Sequence, residues 1–509
     1  MSEPPSTPSR ASSSTGSRRF TNYANTQAEE DAFDVGSIRT GKRSGIVASV
    51  ANLAKGALGG GVLSGHVAYM KSGFVSAIIL NFGFGFYLAT CFYLLVKSSQ
   101  ILCKRCHVSY MTYPDMAEAA LSLCRSQKIN RMAICYKHFI EFIICLNLYG
   151  SCACYQLIIA KTIKQLVENT DRSDIAGLDG MPSLRVYVAI MIIPVILITL
   201  ITELKYLAPF SILANAFVGF CVLMAIYYAR LNNPNFENMS PFNGLYNQIV
   251  YTGMAVFSMS SAGVVLPVEN NMENPKRVGL VLFVGYILII ASVFLCSFFG
   301  YVGYLENCRS PITINFPMTT FPMILKGCIA AMIYVTHALN FYMPFHTCFV
   351  YLKKWHNQDK LFKWELFYRA LICLIISIVA IIFPSIDALM GFLGCFCLSN
   401  MAFIGPNFIY MVVIWDRPGL GKFKWRLLRS IVFVAIGIFI LICGTMVASV
   451  EMVETFIQST DFIESDRDSG IVMLAESASE TAAAVVTAAA TTAATAATTE
   501  PPTIPPFYV

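Results

Sequence analysis

Eleven apolar runs, each near the ~20 residues that a helix needs to cross a bilayer, dominate this chain of 509 residues. They fall at 45–70, 74–96, 138–160, 186–202, 207–228, 249–270, 279–300, 323–351, 367–383, 387–414 and 430–450. Only 13% of residues are charged, against roughly 25% in soluble domains, so a soluble domain is excluded. A spanning helix satisfies its backbone polar groups within one segment. The expectation is therefore an all-α integral membrane protein with eleven transmembrane helices. No apolar leader precedes the first run, and residues 1–44, rich in Ser, Thr and Pro, read as a disordered tail.

Lysine and arginine set the orientation of such a chain. With the N-terminus in the cytosol, about 25 of the 36 Lys and Arg fall on the cytosolic side and about 9 on the other. The sequon Asn238-Met239-Ser240 then faces outward, where glycosylation of Asn238 can occur. An odd number of spans places the C-terminus outside. Residues 451–509 are acidic and then Ala/Thr-rich, a composition for a stalk rather than a packed core.

The 17 cysteines lie mostly in apolar runs and act as small hydrophobes. Cys103-Lys104-Arg105-Cys106-His107 has the spacing of a haem attachment site, but it sits in a basic loop between spans and is a chance match. Nothing in the sequence calls for a metal, a cofactor or a nucleic acid. No nucleophile motif, His-Glu-x-x-His or paired intramembrane aspartate is present, so an enzyme is not expected.

Two spans break the rules of an ordinary membrane helix. Lys55 is followed by Gly56, Gly59, Gly60 and Gly61. Lysine near the bilayer centre costs about 3 kcal/mol or more, and each glycine costs about 0.8–1 kcal/mol relative to alanine in a helix. Span six carries Ser258-Met259-Ser260-Ser261-Ala262-Gly263 and Pro267. Counted inward from opposite faces at ~1.5 Å per residue, both segments reach the midplane, at roughly 15–17 Å. Interrupted helices at matching positions of two halves point to an inverted-repeat transporter. The halves would be about 45–228 and 249–414, with 430–450 an additional span. Backbone N–H groups freed at a break favour a carboxylate, and freed carbonyls favour an ammonium or a cation. A zwitterionic amino acid satisfies both. The competing explanation is that the glycines are small-residue packing faces between helices.

The stretch Asn52-Leu-Ala-Lys-Gly-Ala-Leu-Gly-Gly-Gly-Val-Leu63 resembles the first-helix motif of the amino acid/auxin permease family, closest to its proton-coupled amino acid transporter branch. Leu207–Asn215, Val265–Asn270, Ile312–Pro317 and Thr336–Pro344 agree in the same order. The resemblance covers about Gly45 to Val450. It implies eleven spans in a leucine-transporter-type 5+5 inverted repeat, and uptake of small neutral amino acids by alternating access. It also implies substrate contacts at Gly59, Gly60, Gly61, Phe257, Ser258, Ser260 and Ser261. Tyr149 and Cys152 of span three and Thr336 and Asn340 of span eight would line the same site.

The departures bear on ion coupling. Asn52 stands where proton-coupled members have a histidine, and Ser260 where they usually have a glutamate. Lys55 stands where sodium-coupled members have an asparagine ligand, and its ammonium would repel sodium. The usual proton site is thus missing and sodium is disfavoured, so a proton bound at another group, or at none, stays open as the coupling ion. His337, near mid-depth in span eight, is the substitute group, because histidine titrates near neutral pH; its alternative role is a hydrogen-bonded structural histidine. Glu269 is a gate or ion-pair candidate. The family often has an outer disulfide, but the 167–185 loop offers Cys308 no partner, so that bridge should be absent. Localisation favours the plasma membrane over endosomes and lysosomes. The alternative function is an amino acid sensor or an uncoupled facilitator.

Overall fold

The structure, a computed structural model, describes residues 43–124, 127–169, 183–201, 208–232, 239–415, 417 and 419–458. Asn238, residues 1–42 and 459–509 of the tails and most of the 167–185 loop lie outside the described residues, as do the side chains of 208–215. Among the described residues the regular elements are helices, joined by loops and turns, with one isolated bridge, Ser44 with Met272.

The first apolar run is a broken helix. Helix α1, Ile46–Ala57, stops where Leu58 leaves the helical region. The chain resumes as a tight turn, Gly60–Ser64, and as α2, Gly65–Ser72, bent by 51° from α1. Then follow α3 (Phe74–Arg105), a short, mostly buried helix α4 (Tyr113–Ser122), α5 (Ala133–Glu168), α6 (Leu184–Thr199) and α7 (Ala208–Leu231). Helix α4 begins as its sequence dictates: Thr112 caps the Asp115 N–H, with Pro114 in the first turn.

The second half repeats the break. Helix α8, Gly244–Met259, ends where Ser260 becomes extended at ψ 131°, and the short α9, Val265–Asn270, follows. Next come α10 (Val278–Tyr304), α11 (Thr320–Leu352) and α12 (Leu361–Ile382). After Pro384, Ser385 caps α13 (Ile386–Leu393), which runs through a wide π-turn segment, Gly394–Ile404, into α14 (Gly405–Ile414). Helix α15 (Trp425–Phe439) and α16 (Thr445–Gln458) close the described chain.

Each of the eleven apolar runs coincides with a helix or a broken helix pair. By length and apolarity alone, seven helices of the described residues can cross a membrane, or eight with the bent first pair. The shorter α6, α7 and the α8–α9 pair carry the remaining runs, so a count of eleven does not follow from these criteria. The Ile386–Ile414 span is 83% buried within the bundle, against 28% for Leu361–Ile382. The former is therefore the centre of the bundle and the latter its edge. Large apolar side chains such as Ile79, Phe86, Phe283 and Ile375 are exposed, as expected of surfaces solvated by lipid rather than water. At the centre α8 and the π segment cross closely: a Cβ on Gly394 would stand 1.9 Å from the Gly253 carbonyl oxygen.

Candidate functional site

The two breaks meet. Ser258 Oγ donates to the Gly61 carbonyl at 2.8 Å and also lies 2.8 Å from the Met254 carbonyl in its own helix. A Cβ on Gly61 would stand 2.9 Å from Ser258 Cα, and one on Gly56 would stand 2.4 Å from Val264 Cγ2. These glycines are packing residues as well as breakers, because no side chain fits between the broken spans.

Beside the first break lies a cavity of about 390 Å³, within the range of small-molecule sites. Its polar wall is Asn52, Lys55, the backbone of Gly59 and Gly60, Tyr155, Thr336 and Asn340. Its apolar wall draws on α7 and α11, with Phe217, Val218, Met332 and Ile333, and on Val264 of span six. Thr336 falls at the middle of α11, and its hydroxyl is bonded to the Met332 carbonyl.

Lys55 lies in the last turn of α1 and is half-buried at the cavity wall. The break thus resolves the offence that the sequence posed. The lysine stands at a helix C-terminus, where the carbonyl end of the dipole favours a cation, and beside a cavity rather than lipid. Asn52, one turn earlier, is exposed.

Tyr155 is the principal wall residue that sequence reasoning missed. It is 6% exposed, its hydroxyl accepts from Asn340 Nδ2 at 3.1 Å, and a Cβ on Gly60 would meet its ring at 2.7 Å. The sequence reading chose Tyr149 instead. Six residues are about 9 Å of helix and two-thirds of a turn off phase, so Tyr149 packs on Phe341 at 5.8 Å between ring centres and does not line the cavity. The signal available was depth: Tyr155 is the tyrosine of span three at the level of the first break.

Of the other expected site residues, Gly61, Phe257, Ser258, Ser260 and Ser261 lie outside the cavity wall. Ser261 shares a 2.7 Å hydrogen bond with Tyr286 of α10. The Ser260 hydroxyl accepts from the Ala262 N–H at 3.4 Å, and Phe257 packs on Gly61. Cys152 is buried against the His337 carbonyl at 3.6 Å. His337 is fully buried behind the wall, its Nε2 3.2 Å from the Gln156 side-chain nitrogen and its Nδ1 without a partner. Glu269 is buried and accepts from Gln100 at 3.1 Å. Cys308 is a buried thiol that donates to the Gly300 carbonyl, and burial pushes its ionisation up.

A broken first helix and a break in span six thus flank a small cavity with a cation on its wall. Residues 42–450 match the family model described as transmembrane amino acid transporter protein. The chain belongs to that family.

The transporter is 30% identical to the Drosophila melanogaster "Proton-coupled amino acid transporter-like protein pathetic", over 80% of this chain and 85% of that protein. It is 24% identical to the Caenorhabditis elegans "Probable amino acid transporter skat-1", over 81% and 90% of the two chains. Among solved structures it aligns with a nucleobase-cation-symport-1 family transporter at 12% identity and TM-score 0.48, covering 82% of this chain and 93% of that one. A manganese transporter of Eremococcus coleocola aligns at 11% and 0.42, covering 87% and 92%. The family and the Drosophila relative are transporters, not enzymes.

Proposed function

We propose that this transporter is a secondary carrier of small neutral amino acids working by alternating access, with substrate held at the first-span break. The observation that carries the reading is the cavity wall itself. Lys55 stands ready for a carboxylate, while the Thr336 hydroxyl and the Asn52 and Asn340 amides offer acceptors for an ammonium beside the Tyr155 hydroxyl. The remainder of the wall is apolar and, among its residues, none is acidic. A cationic side chain finds no counter-charge there, and an apolar or small one does.

Spans 1–5 and 6–10 form the two repeats in this reading, supported by the facing breaks. The N-terminus is cytosolic and residues 451–509 are extracytosolic, supported by the Lys and Arg bias, and the plasma membrane is the site of action. Asn238 is a glycosylation candidate on the outer side. Lys55 occupies the position of a coupling cation and disfavours sodium, and the proton is the coupling ion, as the name of the Drosophila relative states for its own group. The cavity wall holds no His, Asp or Glu, so the proton binds away from the substrate. The same observation supports the second reading, an uncoupled facilitator.

Radiolabelled uptake of alanine, leucine, lysine and glutamate by proteoliposomes tests the proposal, at about pH 5.5 and about pH 7.5, with and without sodium. Uptake of alanine or leucine, driven by a pH gradient and indifferent to sodium, supports it. Saturable binding without flux would replace the carrier by a sensor, and flux indifferent to pH would leave the facilitator.

A further inference from the structure

The segment from Cys308 to Phe316 joins α10 to α11 and packs through Ile312–Asn315 on the Gly60–Ser64 turn of the break. It is tied down from several sides. Lys161 Nζ donates to the Ser310 carbonyl at 3.1 Å, Gln165 Nε2 to Ile314 at 2.9 Å and Lys326 Nζ to Phe316 at 2.8 Å. Asp387 accepts from the Ser310 hydroxyl. These ties fix the segment over the end of the bundle opposite Ser44.

One further tie comes from the broken span itself. His66, in the first turn of α2, is fully buried. Its Nε2 lies 2.9 Å from the Arg309 carbonyl and 2.9 Å from Asn315 Nδ2. Asn315 holds the Arg309 peptide from both sides: its Oδ1 accepts from the Arg309 N–H at 3.1 Å, and its Nδ2 donates to the Arg309 carbonyl at 2.9 Å. The amide orientation is therefore fixed, with its NH₂ toward the imidazole.

This arrangement accommodates only a neutral ring. Nε2 either accepts from Asn315 or donates to Arg309, and each choice suits one neutral tautomer. An imidazolium donates from both nitrogens. Its Nε2–H can still donate to the Arg309 carbonyl, as in one neutral tautomer, but its added Nδ1–H is buried with no partner. The ring has no room to turn away, because Gly300 of α10 presses on it: a Cβ there would stand 2.7 Å from His66 Cβ. The charged groups around the ring are Arg309 of the segment and Asp387 of α13, whose field reaches it. Lys161 of α5 reaches Ser310, and Lys71 on the same helix as His66 is paired with Glu451.

We propose that His66 is a proton-binding site of the transporter, and that its protonation releases the Cys308–Phe316 segment from α2. Protons bind the state in which the imidazolium is wetted, so acid shifts the population toward the released segment. This deepens the carrier reading, on which it rests for its consequence: it places the proton that the substrate cavity cannot hold at the gate above the break.

The test is hydrogen–deuterium exchange of residues 308–316 in the full-length transporter in nanodiscs, at about pH 5.5 and about pH 7.5, corrected for intrinsic exchange. The expected result is protection at least about fivefold weaker at the lower pH, and no pH difference in His66→Gln, which keeps a hydrogen-bonding amide without a titration. Equal protection at both pH values in the wild type, or a pH difference that survives in His66→Gln, overturns the proposal. Should that variant not fold, exchange of the His66 C2 hydrogen in the wild type decides. A titration midpoint coinciding with segment release supports the site, and one that does not coincide overturns it. The exchange readout needs no flux, so loss of uptake in proteoliposomes would refute the carrier without touching His66.

Discussion

Asn340 of α11 donates through Nδ2 to the Tyr155 hydroxyl of α5 at 3.1 Å. This bond joins the two helices at the cavity wall, where Gly59 and Gly60 lie against Tyr155. The polar wall is thus a tyrosine hydroxyl braced by an amide, rather than the serines of span six.

Tyr155→Phe should therefore weaken substrate binding without unfolding the protein. It leaves the Asn340 amide short of a partner and removes an acceptor for substrate, an effect of about 1–3 kcal/mol. The expected outcome is a KM for alanine uptake raised about tenfold or more, with the elution profile in detergent unchanged. An unchanged KM would remove Tyr155 from the site.

The facing breaks predict opposite behaviour for two glycines. Gly61→Ala drives a Cβ to within 2.9 Å of Ser258 Cα, which is backbone and cannot give way cheaply. Overpacking of that kind costs about 1–3 kcal/mol, and uptake should fall at least about tenfold. Gly263→Ala meets nothing within 4 Å and should transport at the wild-type rate. Equal effects in a parallel uptake assay would mean that the breaks do not pack as described.

Lys55→Met tests the carboxylate side of the cavity. A hydrogen bond to a charged group contributes about 1.5–3 kcal/mol, so affinity for alanine should drop about tenfold or more. Competition by an amino alcohol of the same side chain, which lacks the carboxylate, should not change. A parallel loss for both compounds would assign Lys55 a structural role.

His337 and His66 separate in pH dependence. His337 sits behind the wall against Gln156, whereas His66 holds the segment over the break. His337→Gln should preserve the ratio of uptake at acid and neutral pH while lowering thermal stability. His66→Gln should flatten that ratio. A flattened ratio in His337→Gln alone would return the proton site to span eight.

Cysteine chemistry reports the same segment. Burial pushes the Cys308 thiol up, so at neutral pH it is protonated as well as hidden. Cys135 is exposed. Brief N-ethylmaleimide treatment followed by peptide mass spectrometry should label Cys135 and spare Cys308. Rapid labelling of both would show the segment already open at neutral pH.

The apolar runs, their matching positions and the two interruptions were legible from the chain, because hydrophobic length and glycine or serine content act locally along one helix. Lys55, Gly59, Gly60, Thr336 and Asn340 fall together on one cavity wall, because each marks its own break or its own mid-depth position. Tyr155 in place of Tyr149 was not legible, since helical phase decides which of two tyrosines faces a cavity, and neighbouring helices set that phase. Nor was the use of Ser258 and Ser261 as ties to Gly61 and Tyr286. Short hydroxyls serve substrate or backbone alike until a partner is placed beside them.

The sequence by itself determined that the chain lives in a bilayer, where its helices weaken and which family it joins, since these depend on composition and on order along the chain. Only the tertiary structure decided that Lys55 ends a helix beside a cavity, that Asn340 braces Tyr155, and that His66 meets Arg309 and Asn315 some 240 positions away. Those contacts depend on the angle at which one broken helix crosses its neighbours, and no local property of the residues encodes that angle.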